Sequence, residues 1–468
     1  MEISGYKNNG QLISNCFHIK YKNIRNPNNV VNFAESFQEI YNLFSVDIDL
    51  FCKKVDEFTK YISETQEFYF PVDEKSMEMI NFLTFLLSCE APPETLNVSI
   101  SLIQALFSFN GVIGAYFLRT QLIEIIVELI QRTRKSNILC NSLTILSSAI
   151  GCSEKCNEKG LTRNDTLKRI FNNISLDDLK NKSFINEESG KAFLLFLYSV
   201  LKENVDSDFQ TEILCILDNI YENGQEIFYW NASWILFRLT NFKDNFPFDV
   251  FIQSCLPGFL NDALYNEKCS YQALASIENI YDYWKPNDIF KNCYEEILKI
   301  GFNEKSKNGI REAAFSTINA ILKKDLDFFK YFSDNLCWKE CIKCYSNVTF
   351  GVKPKITLVL LTYQQYCDFL ELQNLVENGY ISLLNDSIEI DFQDLGKPAI
   401  IGLRYLVEEF TKNQWGGYFE MKAIQELNID KIDEIIDEPG NSDISKDAII
   451  LQSLLYNLPN GVIKKQRM

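Results

Sequence analysis

The chain has 468 residues, with 46 Lys+Arg against 63 Asp+Glu and a formal net charge of −17. Its 46% hydrophobic and 23% charged residues supply enough apolar material for a large core and exclude a wholly disordered chain. The acid excess disfavours a general nucleic-acid backbone binder, and a single histidine, His18, nearly excludes His-based catalytic pairs and triads.

Residues 1–32 carry Lys7, Lys20, Lys22 and Arg25 against Glu2 alone, and are rich in Asn. This start is expected to be a flexible arm, and with no apolar central region it does not read as a secretory signal. From residue 33 onward, apolar residues recur every three or four positions and alternating runs are scarce, so the class is all-α. Asn110-Gly111, Asn223-Gly224, Asn308-Gly309 and Asn378-Gly379 are expected to close helices in the left-handed conformation.

A second periodicity organises these helices. One type returns, with small or apolar residues around a central position: Ser101, Thr144, Leu195, Trp234, Ala275, Phe315, Leu358, Ile401 and Ile449. The spacings are 43, 51, 39, 41, 40, 43, 43 and 48 residues, the period of a helical solenoid in which each unit buries its apolar face on the next. Further amphipathic helices lie between, for example over Gln121–Gln131, Thr211–Tyr221 and Ile289–Ile300. The stretch CSEKCNEKGLTRND, which fills the long second spacing, reads as a loop, as do Asn413–Phe419 and Ile436–Asp443. The division is therefore an arm over 1–32, a solenoid over 33–458 and a short basic tail over 459–468 containing Lys464, Lys465 and Arg467.

The longest apolar run, Ala192–Leu201, is about half of a membrane span. The 14 cysteines then read as reduced thiols of a protein of cytoplasm and nucleus, packed as small hydrophobes. Cys337, Cys341 and Cys344 could begin a zinc site, with Cys293 as a fourth ligand; their helical spacing also makes one buried stripe, and that reading is preferred. Cys152 and Cys156 fall in the polar loop. No phosphate-cradling Gly-rich motif is present, and neither catalysis nor a cofactor is expected.

Leu375–Ser387 (LVENGYISLLNDS) resembles the opening of an armadillo repeat, and Gln272–Ile280 and Arg311–Ile321 resemble third helices of the importin-α (karyopherin-α) family. Asn428–Leu458 is similar to that family's closing repeat, and the resemblance covers roughly Glu74 to Leu458. It implies a right-handed armadillo superhelix of about nine or ten repeats whose third helices line a concave groove. In the family, Trp at the central position flanks Lys/Arg stems, and Asn one turn later holds the backbone of an extended nuclear localisation signal. Carried over, Trp234 keeps the aromatic with Arg238 in the amide slot, Asn279 keeps the amide behind Ala275, and Phe315 with Asn319 is the intact pair. The early positions, Ser101/Ala105, Thr144/Ser148 and Leu195/Ser199, lack the signature. The arm that binds importin-β in the family is densely basic, and residues 1–32 are not.

The expected function is thus an importin-α-like adaptor for nuclear import. It would hold an extended, basic segment of a partner protein through Trp234, Asn279, Phe315 and Asn319, with a β-type karyopherin as a further partner. No nucleic acid or membrane is implied, and a monomer is expected. The alternative is an armadillo scaffold for protein assembly outside nuclear import.

Overall fold

The computed structural model describes residues 33–64, 74–88, 91–109, 111–153, 162–202, 205–284, 286, 288–390, 395–437 and 442–460. The expected arm (1–32) and all but the first two residues of the expected tail lie outside them. Among the described residues every regular element is helical. No helix among them is long and apolar enough to cross a membrane.

Ten helices recur along the chain at about the expected spacing: α1 (Ile48–Glu64), α2 (Pro93–Phe109), α3 (Ser136–Ser153), α4 (Glu187–Val200), α5 (Tyr229–Thr240), α6 (Ser270–Tyr283), α7 (Asn308–Leu322), α8 (Lys353–Gln364), α9 (Lys397–Lys412) and α10 (Ser442–Tyr456). Nine contain the periodic centres of the sequence; α1 precedes them and has no such centre. The remaining helices are identified by residue range.

The chain divides into two compact units, residues up to Ile216 with Gln225–Arg238, and Leu217–Gly224 with Leu239 onward. In the first unit α1 packs on α2, α2 on α3 and α3 on α4. In the second, α6, α7, α8, α9 and α10 pack successively. A second layer backs each stack: Leu122–Arg132 lies against α3, Leu256–Leu264 against α6, Tyr294–Phe302 against α7, Cys337–Tyr345 against α8 and Tyr380–Ile390 against α9. This is a helical repeat in which each element buries its apolar stripe on its sequence neighbours.

Local chemistry sets the helix ends. Asp368 accepts from the Glu371 backbone N–H at 2.8 Å while Glu371 accepts from the Asp368 N–H at 3.0 Å, a reciprocal cap on Phe369–Glu377. Thr162 and Asp165 repeat this at Arg163–Phe171. Gly224 (φ +61°) and Gly379 (φ +92°) take the left-handed conformation as expected. Asn308-Gly309 does the opposite and opens α7, and Gly111 likewise starts a helix. Gln414 (φ +64°) turns the chain, after which Gly416–Glu426 is helical, so most of the expected loop at 413–419 is an element.

Arg169 fastens the outer layer in the first unit. It reaches both Glu124 oxygens at 2.6 and 2.7 Å and the carbonyls of Leu118 and Thr120 at 2.9 Å each. Burial alone would raise the Glu124 pKa, but the Arg169 hydrogen bonds and charge hold it below the usual carboxylate value.

The cysteines are mainly packing groups. Cys337 and Cys341 are buried, and half-buried Cys344 accepts a hydrogen bond from the Arg311 guanidinium at 3.0 Å. Cys293 donates to Asn261 Oδ1 at 3.1 Å. Cys152 is not in a loop but in α3, buried where Gly114 leaves room for its sulfur; Cys156 lies outside the described residues.

Candidate peptide-binding face

Burial along each stacked helix leaves one stripe open, and within each unit the stripes share a register. In the first unit it runs through Asn97 and Ser101 on α2, Asn141 and Thr144 on α3, Leu195 on α4, and Trp230 and Trp234 on α5, all partly exposed. Uncharged hydrogen bonds cross from helix to helix beside it. Asn137 Nδ2 donates to Asn97 Oδ1 at 2.9 Å, Asn141 Nδ2 donates to Ser101 Oγ at 3.0 Å, and the Ser147 and Ser199 hydroxyls share a bond of 2.5 Å. The first unit thus presents amides and hydroxyls in place of an aromatic ladder.

Trp234 is half-buried, standing edge-on to Tyr198 of α4 with ring centroids 6.2 Å apart. Arg238, one turn on, folds back over the same tyrosine. Its Nε and Nη2 each donate to the Tyr198 hydroxyl at 3.2 Å, and its guanidinium lies 5.2 Å from the ring centroid. Sequence spacing does not point to Tyr198, because its partners are 36 and 40 residues away.

In the second unit the stripe passes through Tyr271, Glu278, Asn279 and Asp282 on α6, then Glu312, Ser316, Asn319 and Lys323 on α7. It continues through Lys355 and Leu358 on α8 and Ile401 and Tyr405 on α9. Phe315 is not part of it. The side chain is 0% exposed and packs edge-on against Phe302 at 5.7 Å, so it belongs to the core between α7 and Tyr294–Phe302. The central position of α7 is Ser316, one residue later, and the expected aromatic–amide pair with Asn319 is not presented. The physical reason is that Phe315, Ile318 and Leu322 share a buried turn, and an aromatic gains more from the core than from water.

Asn279 and Asn319 also differ from one another. Asn279 Nδ2 donates backward to Thr240 Oγ1 at 3.2 Å, whereas Asn319 Oδ1 accepts forward from Thr362 Oγ1 at 2.6 Å. The first stands four residues after its central position and the second three, so they occupy different slots. Of the four expected residues, Trp234, Asn279 and Asn319 reach the exposed stripe of their helices and Phe315 does not.

Charge enters where α6, α7 and α8 meet. Burial pushes the Glu278 carboxyl up to about 7; Lys355 opposes this, Asp282 adds to it and Lys323 opposes it. Burial also raises Glu312, again against Lys355, and raises Asp282 against Lys323, Lys324 and Lys243. The Glu312 carboxyl lies over Gly351, where a β-carbon would collide with it. Neither Glu278 nor Glu312 forms a hydrogen bond or an ion pair within 4.0 Å among the described residues. In the sequence these carboxylates look like any solvated acid, because nothing local marks three helices as converging.

A candidate ligand set for a metal also falls in the second unit, where the side-chain donors of Asp218, Glu222 and Cys255 lie within 4.8 Å of one another. The Cys255 backbone N–H and thiol both donate to Asp218 Oδ1, at 2.8 and 2.7 Å. Burial and then the Asp218 carboxylate push the thiol up to about 12, so at neutral pH it is a protonated donor. The trio ties the start of Leu256–Leu264 to Asp218 and holds the thiol in a form that binds metal poorly.

No protein-family profile matches this chain, and no curated protein matches it either. Among solved structures it is similar to the crystal structure of an engineered protein, with 12% sequence identity and a TM-score of 0.66, covering 91% of this chain and 100% of that one. At that identity the likeness is one of fold.

Proposed function

We propose that this protein is a helical-repeat scaffold, of armadillo type with about nine or ten repeats, that holds an extended segment of another protein along the open stripe of its stacked helices. The observation that carries this reading is the register of that stripe within each unit, from Ser101 to Trp234 in the first and from Asn279 to Ile401 in the second. In both, side-chain amides and hydroxyls pass from one helix to the next. An extended chain has a backbone donor and acceptor at each residue, and a row of amides and hydroxyls is suited to receive them.

The narrower reading is an importin-α-like adaptor for a lysine-rich nuclear localisation signal, passing between cytoplasm and nucleus. In its favour are Trp234 in the first unit and the Glu278, Asp282 and Glu312 carboxylates in the second. Fluorescence anisotropy of a lysine-rich localisation peptide at two salt concentrations tests it, beside Asn319→Ala and Trp234→Ala. Micromolar or tighter, salt-sensitive binding weakened by either variant supports the adaptor. Selection from a random 15-residue peptide library on the full chain tests the broader reading, which fails if no peptide is retained.

A further inference from the structure

The stripe of the second unit changes character along its length. At α6 and α7 it offers Glu278 and Glu312; from α8 onward its central positions are apolar, with Leu358, Ile401 and Ile449 on three successive helices and Ile450 beside the last. Ile401 is 38% exposed, Ile449 49% and Ile450 44%. Isolated exposed isoleucines are ordinary, but equivalent positions on adjacent helices make a row, and a row of branched aliphatics in water has a standing gain from being covered.

We infer that this face receives a partner segment that gives one apolar side chain to each of α8, α9 and α10 and then a basic side chain to Glu278 and Glu312. The inference rests on the scaffold reading above and assigns the chemistry of its ligand. Charge complementarity selects the occupant. Two carboxylates without an ion partner stand at one end of the row, partly stripped of water, and Lys355 is the cation that acts on both. An incoming ammonium or guanidinium would supply the missing counter-charge while the aliphatic row is covered. Packed helices lie about 8–10 Å apart, so an extended chain meets each with a side chain every second or third residue.

The probe is a 15-residue peptide with leucines every third position followed by two arginines, tested alongside one with leucines every second position and a scramble of the same composition. Calorimetry on the full chain is expected to show either patterned peptide binding at least tenfold more tightly than the scramble. Ile401→Ser and Ile449→Ser, both at exposed positions, should each weaken it about tenfold, with an unchanged thermal melt as the control for folding. Glu278→Gln with Glu312→Gln should weaken it and flatten its salt dependence. At pH 7 the binding enthalpy should vary with the ionisation enthalpy of the buffer, because an arginine arriving at Glu278 displaces its proton, and this should vanish in Glu278→Gln.

Equal binding of scramble and patterned peptides, or indifference to both isoleucine variants, overturns the inference. A random library separates the two levels. Binders that lack the apolar–basic pattern and ignore Ile401→Ser overturn this assignment while the scaffold stands; a library that yields no binder removes both.

Discussion

Glu278 shows how one residue can carry both a cost and a use. Its carboxyl is raised to about 7 by burial, so the folded chain keeps a proton there that the unfolded chain has given up. The sign follows from linkage: with a folded pKa above the unfolded one, the destabilisation is absent below the ordinary carboxylate pKa. It grows as pH rises from there and is complete once pH passes about 7. Glu278→Gln removes the ionisation. The variant should therefore be more stable than the parent at pH 8, by about 1–2 kcal/mol once partial exposure is allowed for, with the gap closing towards pH 5. Denaturant melts at pH 5, 7 and 8 decide it; a pH-independent difference would show that the carboxyl is ordinary. Nothing in the sequence singles Glu278 out from the other acids, since its shift comes from burial in the fold and the lysines that oppose it lie 45 and 77 positions further on.

At the scale of single helices, the sequence is legible where the signal is local. The Asn-Gly pair at 378–379 ends its helix as expected, because a glycine at φ +92° directly after a helix is a property of two residues and their backbone. Gly379→Ala should cost about 1 kcal/mol, and Asp368→Ala, which removes the cap of the same helix, a similar amount. Thermal melts of the two single variants and the double would test both, with near-additive losses expected because cap and stop lie at opposite ends of Phe369–Glu377. The same Asn-Gly pair at 308–309 misleads, as Asn308 begins α7 and Gly309 keeps ordinary backbone angles. The register of α7 misleads for a related reason. Periodicity locates a buried stripe to within one residue, and one residue is about 100° of helix, enough to turn Phe315 from the open face into the core. What decides between neighbours is packing against Phe302, which sequence spacing does not contain.

At the scale of the whole molecule, the period of about 40 residues is legible from the amino-acid order alone, because stacking imposes one recurrence on every helix of a layer. Partners across a layer are not, because Asn141 with Ser101 or Thr362 with Asn319 are pairings of side chains 40 and 43 residues apart. Such an architecture makes a mechanical prediction. Within each unit the packed helices touch their sequence neighbours, so a lesion in one place should loosen that place and leave distant helices protected. Gly402 of α9 is suited to the test, since a β-carbon there would collide with Leu361 of α8 and approach Gln364, whose Nε2 donates to the Gly402 carbonyl at 3.0 Å. Gly402→Ala should destabilise by about 1–3 kcal/mol through overpacking. Hydrogen exchange followed by mass spectrometry should show faster exchange in α8, α9 and α10, and unchanged protection in α2, α3 and α4. Uniform acceleration across all ten helices would mean that the chain opens as one cooperative body, and the nearest-neighbour account of its stability would then fall even with every helix in place.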